Sequence, residues 1–320
     1  MIRLLFLLCG LTSLAGCKNN EAVLTQPQPT NNSYQTKNVI VVVIDGPRYS
    51  ETWGAANQQY TPNLAQYLAP QGVISTAFYN DGYTYTNAGH TAITTGVRQG
   101  INNGGNELPR NPSFFQYWLE TTGNPKSKAW LVTSKDKLNI LADTKDKDYS
   151  GKFMPAFNCG NNGPFSGYRE DSTTLRIAKQ VLTKDQPNLM LINFKEPDAS
   201  GHQGNWQGYL TGIRTTDQYV YDLWNFLQNH PNYRGSTTLL VTNDHGRHLD
   251  GRSSGFVSHG DNCDGCRHIN LFAAGPDFRK GQIINTAYNQ TDIPATIAEL
   301  MGFKMPNGQG EVMWELFLKK

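Results

Sequence analysis

Residues 38–46 of the chain read NVIVVVIDG, and this stretch decides the class of fold. Between Asn38 and Asp45 the run is apolar and mostly β-branched. Such a run is typical of a strand that is buried on both faces, as in a parallel sheet covered by helices. We therefore predict a central parallel strand over residues 38–44, followed directly by an acidic side chain.

Similar apolar runs recur along the chain, and helical patterns lie between them. The runs are AWLVTS, NLMLINF, TTLLVTN and INLFAAG, which begin at residues 129, 188, 237 and 269. The helical patterns cover residues 61–72, 112–123, 171–182, 208 to about 229, and 291–302. Strand and helix alternate throughout, which predicts a single α/β domain of three layers with a mostly parallel sheet between helices.

The first residues are typical of a targeting segment. Arg3 precedes LLFLLCGLTSLAGC, a short apolar region that ends in small residues. The ending LAGC resembles the lipobox of bacterial lipoproteins, which implies that Cys17 is lipidated; a plain signal peptide with an incidental cysteine is the alternative. We predict a signal peptide over residues 1–16, a flexible tether over 17–37 and the folded domain over 38–320.

Charge and hydropathy restrict the partners that the chain could have. The formal net charge is +2, which gives no reason to expect nucleic acid as a partner. No internal apolar run is long enough to span a bilayer, so the lipid would be the only link to a membrane. We expect a location in the cell envelope of a bacterium, lipid-anchored and either periplasmic or associated with the outer membrane. The sequence does not indicate an oligomeric state.

Three cysteines lie in the predicted domain: Cys159, Cys263 and Cys266. In an oxidising compartment two of them should form a disulfide. The bond could close within CDGC, residues 263–266, or could join Cys159 to one of the other two and leave an odd thiol. A structural zinc site is not expected, because a second CxxC pair or a spaced histidine pair is missing.

Acidic and histidine residues stand at or near the ends of the predicted strands, where ligands bind in such sheets. They are Asp45, Asp198, His202, Asp244, His245 and His259. Any one of them could be a turn cap or a solvated side chain. Together, carboxylates and neutral imidazoles are the ligand set of zinc-like ions, and six are enough for two ions with open positions. We expect two divalent ions, zinc first, with manganese or iron as alternatives.

The stretch YTNAGHTAITTG, residues 85–96, has two interpretations. Thr86 could be the N-cap of an ordinary buried helix that ends at Gly96. Alternatively, its hydroxyl could bind a divalent ion, which makes it a far better nucleophile, and the start of the helix could receive an anion. Two ions about 3.5–4 Å apart suit in-line phosphoryl or sulfuryl transfer, and this favours the second interpretation.

Five segments, in this order, resemble those of the alkaline phosphatase superfamily: VVVIDG, TNAGHTAITTG, EPDASGH, TNDHG and SHGD…NLFAAGP. The resemblance covers nearly all of residues 38–320. It implies that Thr86 is the nucleophile and a metal ligand, and that it forms a covalent phosphothreonine. The implied ligands of the ion that activates Thr86 are Asp45, Asp244 and His245. The implied ligands of the ion that holds the leaving oxygen are Asp198, His202 and His259.

Other histidines compete for these roles. His259 is preferred over His248 and His268 because a glycine follows it and a strand with a Gly-Pro ending comes next, as in the family. The resemblance implies that His90 packs near the site without binding an ion.

Two features that are missing and one charged segment that is present indicate which branch of the superfamily the chain resembles. Residues 85–90 offer Thr86 without the CxPxR-type motif of formylglycine sulfatases, and there is no room for the large inserted domain of cofactor-independent phosphoglycerate mutases. The segment VTSKDKLNIL, residues 132–141, resembles the SxKDR segment of periplasmic monoesterases, which implies that Lys135 and Lys137 hold phosphate oxygens. A solvated charged turn is the alternative. Asn103 is the candidate for the family's phosphate-contacting asparagine.

We therefore expect a hydrolase that cleaves small phosphate monoesters, because a monoester dianion needs more positive charge than a diester. Lys137 stands where the family has arginine and cannot make a planar bidentate contact. A phosphodiesterase or nucleotide pyrophosphatase on the same site is therefore the main alternative, and a sulfate ester hydrolase the lesser one. A lipid-anchored binding protein without activity is the non-enzyme alternative.

The lipobox leads to a prediction about anchoring. Cys17→Ser should move the protein from the membrane fraction to the soluble fraction, because a polar tether alone does not hold a folded domain at a bilayer. Cell fractionation and immunoblotting measure this. Cys9→Ser, in the same segment, is the matched control and should stay with the membrane. Retention of the Cys17 variant in the membrane fraction contradicts the prediction.

Overall fold

A computed structural model describes residues 33–318, so the expected signal peptide and Cys17 lie outside the described residues. Nine strands form one sheet. They are β1 (Asn38–Ile44), β2 (Val73–Tyr79), β3 (Ala129–Thr133), β4 (Ala156–Cys159), β5 (Leu189–Phe194), β6 (Thr237–Asn243), β7 (His268–Ala274), β8 (Gln282–Ile284) and β9 (Tyr288–Asn289). The α-helices are α1 (Thr86–Thr95), α2 (Phe114–Thr122), α3 (Asp171–Lys184), α4 (Asp198–His202), α5 (Trp206–Asn229), α6 (Asp264–Arg267) and α7 (Asp292–Met301).

The sheet is mixed but mostly parallel. Its strand order is β4-β3-β5-β1-β6-β7-β2-β8, and β9 pairs with β2. β1 lies between β5 and β6 and is parallel to both. β7 is antiparallel to its neighbours β6 and β2, whereas the other pairings are parallel. The predicted α/β domain with a mostly parallel sheet is confirmed.

The central strand β1 supplies side chains to two separate cores. Val39, Val41 and Val43 lie in a cluster with residues of α1, α2 and α7. Ile40 and Val42 point to the other side, where residues of α3 and α5 cover the sheet. All five are fully buried, and each contributes about 1.5–3 kcal/mol relative to exposure to water. Helices therefore cover both faces of the sheet, as the continuous apolar run of β1 predicts.

The prediction of a regular α-helix over residues 61–72 is wrong, because the segment is helical but wound differently. A π-helical turn covers Leu64–Leu68, and a 3-10 turn follows over Ala69–Gln71. Pro70 lacks a backbone N–H and its ring excludes a regular helical bond, which explains the change of winding. The next strand, β2, and the short strands β4, β8 and β9 were not predicted, since none of them carries a long apolar run.

The boundary between tether and domain also needs correction, because the last residues of the expected tether are packed. Tyr34 is 6% exposed, and its ring centroid lies 5.5 Å from that of Phe317. The backbone N–H and the hydroxyl of Thr36 both donate to the Asp277 carboxylate, at 2.8 and 2.7 Å. Residues 34–37 thus belong to the folded domain. Across residues 33–318, no helix is both long and apolar enough to cross a membrane.

Candidate metal centre

Three buried carboxylates meet at one edge of the sheet. Asp45 follows β1, Asp198 opens α4 just after β5, and Asp244 follows β6. Because β5, β1 and β6 are adjacent and parallel, their carboxyl ends lie side by side, and the acidic side chains converge. Each is at most 2% exposed. Buried carboxylates at this density require cations, either from the protein or from bound ions.

The first cluster consists of Asp45, Asp244 and His245. His245 Nε2 lies 3.5 Å from Asp45 Oδ1 and 3.4 Å from Asp244 Oδ2. Within the part of the chain that the structure describes, these three buried atoms have no hydrogen-bond partner. Ligand atoms at zinc-like distances of about 2.0–2.1 Å in a tetrahedron lie about 3.3 Å apart. The donor types, their spacing and their lack of partners all fit a divalent ion.

The second cluster consists of Asp198, His202 and His259. Asp198 Oδ1 lies 3.3 Å from His202 Nε2 and 3.6 Å from His259 Nε2, and the two Nε2 atoms are 3.1 Å apart. The structure therefore brings all six predicted Asp and His residues together in two groups. The two groups are in contact, because the rings of His245 and His259 stack with centroids 3.7 Å apart.

Backbone carbonyls fix the orientation of two of these imidazoles. His245 Nδ1 lies 2.8 Å from Gly246 O, and His259 Nδ1 lies 2.7 Å from Thr84 O. Each Nδ1–H donates to its carbonyl, so each Nε2 lone pair faces the clusters. Burial lowers the pKa of His245 and His202 and, together with neighbouring His245, lowers the pKa of His259 to about 2. The rings are thus neutral, which is the form that binds metal ions.

Lys135 occupies a different place from the one expected of a phosphate-holding side chain. Its Nζ lies 2.8 Å from Asp45 Oδ2 and 2.7 Å from Asp198 Oδ2, and it donates to Thr86 Oγ1 at 3.4 Å. Burial acts to lower the pKa of Lys135, but the two carboxylates raise it above its ordinary value. The ammonium group therefore stays charged and links both clusters to the threonine hydroxyl.

The sequence interpretation missed Arg247, which is fully buried beside the second cluster. Its Nη1 is ion-paired with Asp198 Oδ1, and its Nη2 donates to Val257 O at 2.7 Å. Burial acts to raise the pKa of Asp198, but Lys135 and Arg247 hold it well below its usual range. Arg247 lies between His245 and His248 in the chain, yet arginine is usually exposed, so nothing marked it as part of the centre.

The two clusters consequently differ in how much of their negative charge the protein's own cations offset. Both oxygens of Asp198 already face basic side chains. By contrast, Asp45 Oδ1 and Asp244 Oδ2 have no hydrogen-bond partner among the described residues, and the nearest base to Asp244 Oδ2 outside the cluster is His90 Nδ1 at 3.3 Å. Burial and the nearby Asp244 raise the pKa of Asp45 well above its ordinary value. The first cluster is therefore the better fit for an ion, and the second shares its carboxylate with the protein's own cations.

Thr86 lies at the mouth of this centre but is not a helix cap. α1 begins at Thr86, the N-cap position belongs to Tyr85, and no side chain makes a capping hydrogen bond there. The side chain of Thr86 is 2% exposed and contacts Lys135 instead. Gly89 allows α1 to come this close, since a Cβ at that position would lie 2.3 Å from Asp244 O. The structure thus disfavours the N-cap interpretation.

His90 is buried in the centre, but its ring nitrogens already have partners. Nδ1 lies 2.9 Å from Thr86 O and 3.3 Å from Asp244 Oδ2. Nε2 lies 3.2 Å from Asn193 Nδ2, from which it accepts a hydrogen bond. With both nitrogens engaged, His90 positions Asp244 and the start of α1 and has no lone pair left for an ion.

Asn103 and Lys137 lie together beside the start of α1. The Asn103 side-chain oxygen accepts from Asn87 N–H at 3.0 Å and from Lys137 Nζ at 3.2 Å. Burial and neighbouring Lys135 lower the pKa of Lys137 to about 8. Both residues therefore lie beside the first turn of α1, and the Asn87 N–H, one of the amides at the start of the helix, already donates to Asn103.

The rival histidines and the cysteines lie elsewhere. His268 Nε2 bonds to Thr76 O, and the ring stacks on Tyr49 with centroids 3.8 Å apart. His248 Nδ1 lies 3.4 Å from the sulfur of Cys263 and from that of Cys266. Neither histidine contacts the two clusters. The expected disulfide is not formed, because all three cysteines of the described region are unpaired, and Cys159 is buried elsewhere.

Comparison with known proteins shows the family to which the chain belongs. The family model described as Sulfatase matches residues 15–303. A curated relative, a phosphopentomutase of Herpetosiphon aurantiacus, is 28% identical over 170 residues, which cover 52% of this chain and 39% of the relative. The chain thus spans well under half the length of that relative.

Solved structures share the fold at low sequence identity. The phosphonate monoester hydrolase SpPMH from Silicibacter pomeroyi has a TM-score of 0.63 at 14% identity, and the match covers 87% of this chain and 76% of that one. Murine ectonucleotide pyrophosphatase/phosphodiesterase 5 has a TM-score of 0.62 at 18% identity, covering 88% of this chain and 100% of that one. A threonine-to-alanine variant of the murine protein, described as inactive, is also known in complex with AMP.

The first cluster leads to a prediction about metal content. Asp244 Oδ1 accepts hydrogen bonds from the N–H groups of Gly46 and His245, at 3.2 and 2.9 Å. In Asp244→Asn the amide oxygen would keep these bonds and turn the NH2 group, which cannot bind a cation, toward the cluster. We expect the variant to lose about one equivalent of divalent ion per chain. Metal analysis of purified protein measures the loss.

Asp148→Asn is the matched control, since Asp148 is exposed and belongs to neither cluster. It should keep the metal content of the unaltered protein. An Asp244 variant with unchanged metal content contradicts the assignment of an ion to the first cluster.

Proposed function

We propose that this chain, which belongs to the sulfatase family of the alkaline phosphatase superfamily, hydrolyses phosphate esters with Thr86 as its nucleophile. The observation that carries the proposal is the position of Thr86 Oγ1. It is buried at the first residue of α1 and accepts from Lys135 Nζ at 3.4 Å, and the same ammonium contacts Asp45 and Asp198. A hydroxyl held in this way has no role as a helix cap and faces the site where an ester would bind.

In the proposed reaction, Thr86 Oγ1 gives its proton to solvent water and attacks phosphorus, while the bond from phosphorus to the leaving oxygen breaks and that oxygen takes a proton from solvent. Water then hydrolyses the phosphothreonine and restores the hydroxyl. Lys135 holds Oγ1 and contributes positive charge beside the transferred group. Divalent ions held by Asp45, Asp244 and His245, and by Asp198, His202 and His259, would lower the pKa of the hydroxyl and offset charge on the phosphoryl oxygens.

Threonine at this position favours phosphoryl transfer over formylglycine-dependent sulfate hydrolysis. In the CxPxR register that begins at Thr86, the chain has Ala88 and His90 in place of proline and arginine. His90 is fully buried, with both ring nitrogens bonded to the protein. The inactive threonine-to-alanine variant of the murine phosphodiesterase is consistent with an essential threonine on this fold. A sulfate ester remains the test substrate for the lesser alternative, because the family model is named for sulfatases.

Lys137 and Asn103 favour phosphate monoesters. Their polar groups lie 3.2 Å apart next to the start of α1, so both can reach non-bridging oxygens of a group bound at Thr86. A monoester dianion presents one more charged oxygen than a diester, and Lys137 is the additional cation on this side of the centre. A diester remains the second candidate, since Lys137 lacks the planar fork of arginine.

The lipid attachment expected at Cys17 would place this activity in the bacterial cell envelope. Small phosphate esters outside the cytoplasm are then the substrates that the enzyme meets.

The role of Thr86 can be tested directly. Thr86→Ala should lower hydrolysis by about 10⁴-fold or more, as loss of a catalytic nucleophile does elsewhere. The ions should stay bound, because the carboxylates and imidazoles remain. The measurement is turnover of an aryl phosphate, a phosphodiester and an aryl sulfate by metal-loaded full-length protein, with metal analysis in parallel.

Two variants control this experiment. Thr86→Ser keeps a hydroxyl and should retain much of the activity. Thr95→Ala removes a hydroxyl at the far end of the same buried helix and should leave turnover near normal. Near-normal turnover by Thr86→Ala would falsify the nucleophile assignment. No turnover of any ester by the metal-loaded, unaltered protein would instead favour the inactive binding protein.

Lys137 decides between monoester and diester. Lys137→Ala should lower kcat/KM for the monoester by about 10²–10³-fold, the usual cost of one charge-stabilising donor, and affect the diester much less. Lys147→Ala, at an exposed position, is the matched control and should change neither. Equal losses on both substrates would make Lys137 a solvated turn residue and favour the phosphodiesterase.

A further inference from the structure

A second group of metal-binding side chains lies outside the centre described above. Within the described residues, His248, Asp261, Cys263 and Cys266 bring one ligand atom each to within 4.8 Å of one another. His248 Nδ1 lies 3.4 Å from each of the two sulfurs and 3.3 Å from Asp261 Oδ1. We propose that these four residues bind a structural zinc ion.

The distances agree with a tetrahedral zinc site. Zinc–sulfur bonds of about 2.3 Å and zinc–nitrogen bonds of about 2.0–2.1 Å put the two ligand atoms about 3.5 Å apart. His248, Cys263 and Cys266 are at most 8% exposed. Four protein donors close the coordination shell and leave no open position, which distinguishes a structural from a catalytic site. Two soft thiolates select zinc over magnesium or calcium.

The local fold builds the site from two chain segments in close backbone contact. Cys263 immediately precedes α6, and Cys266 lies one turn later in it, so CDGC supplies both sulfurs from one turn. His248 comes from the segment after Asp244, and Gly246 N–H donates to Cys266 O at 2.8 Å. A Cβ on Gly246 would lie 2.0 Å from Gly265 O. Only glycine permits this approach, which brings His248 to the cysteines.

The remaining ligand is held by a basic side chain. Asp261 Oδ1 faces His248, and Asp261 Oδ2 is paired with Arg252 Nη2 at 3.0 Å. A zinc ion with two thiolates, one carboxylate and a neutral imidazole carries a net charge of about −1, which Arg252 offsets. The sequence did not favour a zinc site because a second CxxC pair is missing; His248 and Asp261 supply what that pattern lacked.

The proposed ion would hold the loop that completes the candidate metal centre. Arg247, which is paired with Asp198, directly precedes His248. His259, a member of the second cluster, lies two residues before Asp261. The zinc ligands lie at both ends of the loop formed by residues 249–260. A bound ion would therefore fix Arg247 and His259 relative to the sheet. The inference is independent of the proposed hydrolysis, since it rests on other residues.

Cobalt substitution tests the proposal on full-length protein without any variant. Zinc is removed and replaced with cobalt, and the absorption spectrum is recorded. We expect an intense thiolate-to-cobalt charge-transfer band in the near ultraviolet. The six-residue Asp and His centre contains no sulfur and cannot produce such a band. Absence of the band in cobalt-loaded protein overturns the proposal.

Variants and thiol counts complete the experiment. Cys263→Ser/Cys266→Ser should lose the band and about one equivalent of zinc per chain. Cys159→Ser, which alters a buried cysteine outside the group, should keep both. If the double variant does not fold, peptide mass spectrometry of the unaltered protein decides, since a Cys263–Cys266 disulfide in the purified protein also overturns the proposal. The cobalt band of the unaltered protein does not depend on ester hydrolysis. Failure of the zinc proposal and failure of the proposed function can therefore be told apart.

Discussion

The burial of three carboxylates at one edge of the sheet is the constraint on which the rest of the structure depends. Asp45, Asp198 and Asp244 are almost fully buried, and unpaired charges in such a place cost several kcal/mol each. The fold responds with two buried cations, Lys135 and Arg247. These cations leave Asp45 Oδ1 and Asp244 Oδ2 without a hydrogen bond among the described residues. These two oxygens therefore mark the place where a bound cation fits.

The position of α1 follows from the same constraint. The helix lies against the backbone of Asp244, closer than any side chain on Gly89 would permit. His90 bonds to the carbonyl of Thr86 and lies beside Asp244, so the first turn of the helix and the carboxylate are held together. Main-chain packing, rather than flexible side chains alone, thus fixes the Thr86 hydroxyl and the acidic cluster relative to each other.

The sequence was sufficient to predict the central sheet and the convergence of six Asp and His side chains at its edge, because both follow from local patterns. Long β-branched runs identify buried parallel strands, and Asp45 or Asp244 directly after such a run must lie at its carboxyl end. The antiparallel strand β7 carries an equally apolar run, so its direction could not be read. Short strands such as β8 lack a run altogether and depend on pairing with β2.

Other features depend on contacts between distant segments. The ion pair of Arg247 with Asp198 joins residues 49 positions apart in the chain. His248 meets Cys263 and Cys266 only because two backbones pack without side chains between them. Tyr34 gains its burial from Phe317 near the other end of the chain. Composition and spacing do not predict such contacts, because neither partner stands in a local sequence pattern that indicates burial.

The packing of residues 34–37 has a consequence for how the domain is presented to its surroundings. The chain enters β1 at Asn38, whereas Asp45 and the metal centre follow the other end of that strand. The seven residues of β1, with a rise of about 3.3 Å per residue, separate its two ends by about 20 Å. Whatever precedes residue 33 is therefore joined to the back of the molecule. A surface that holds the chain by that side leaves the candidate metal centre facing outward, toward solutes that diffuse past it.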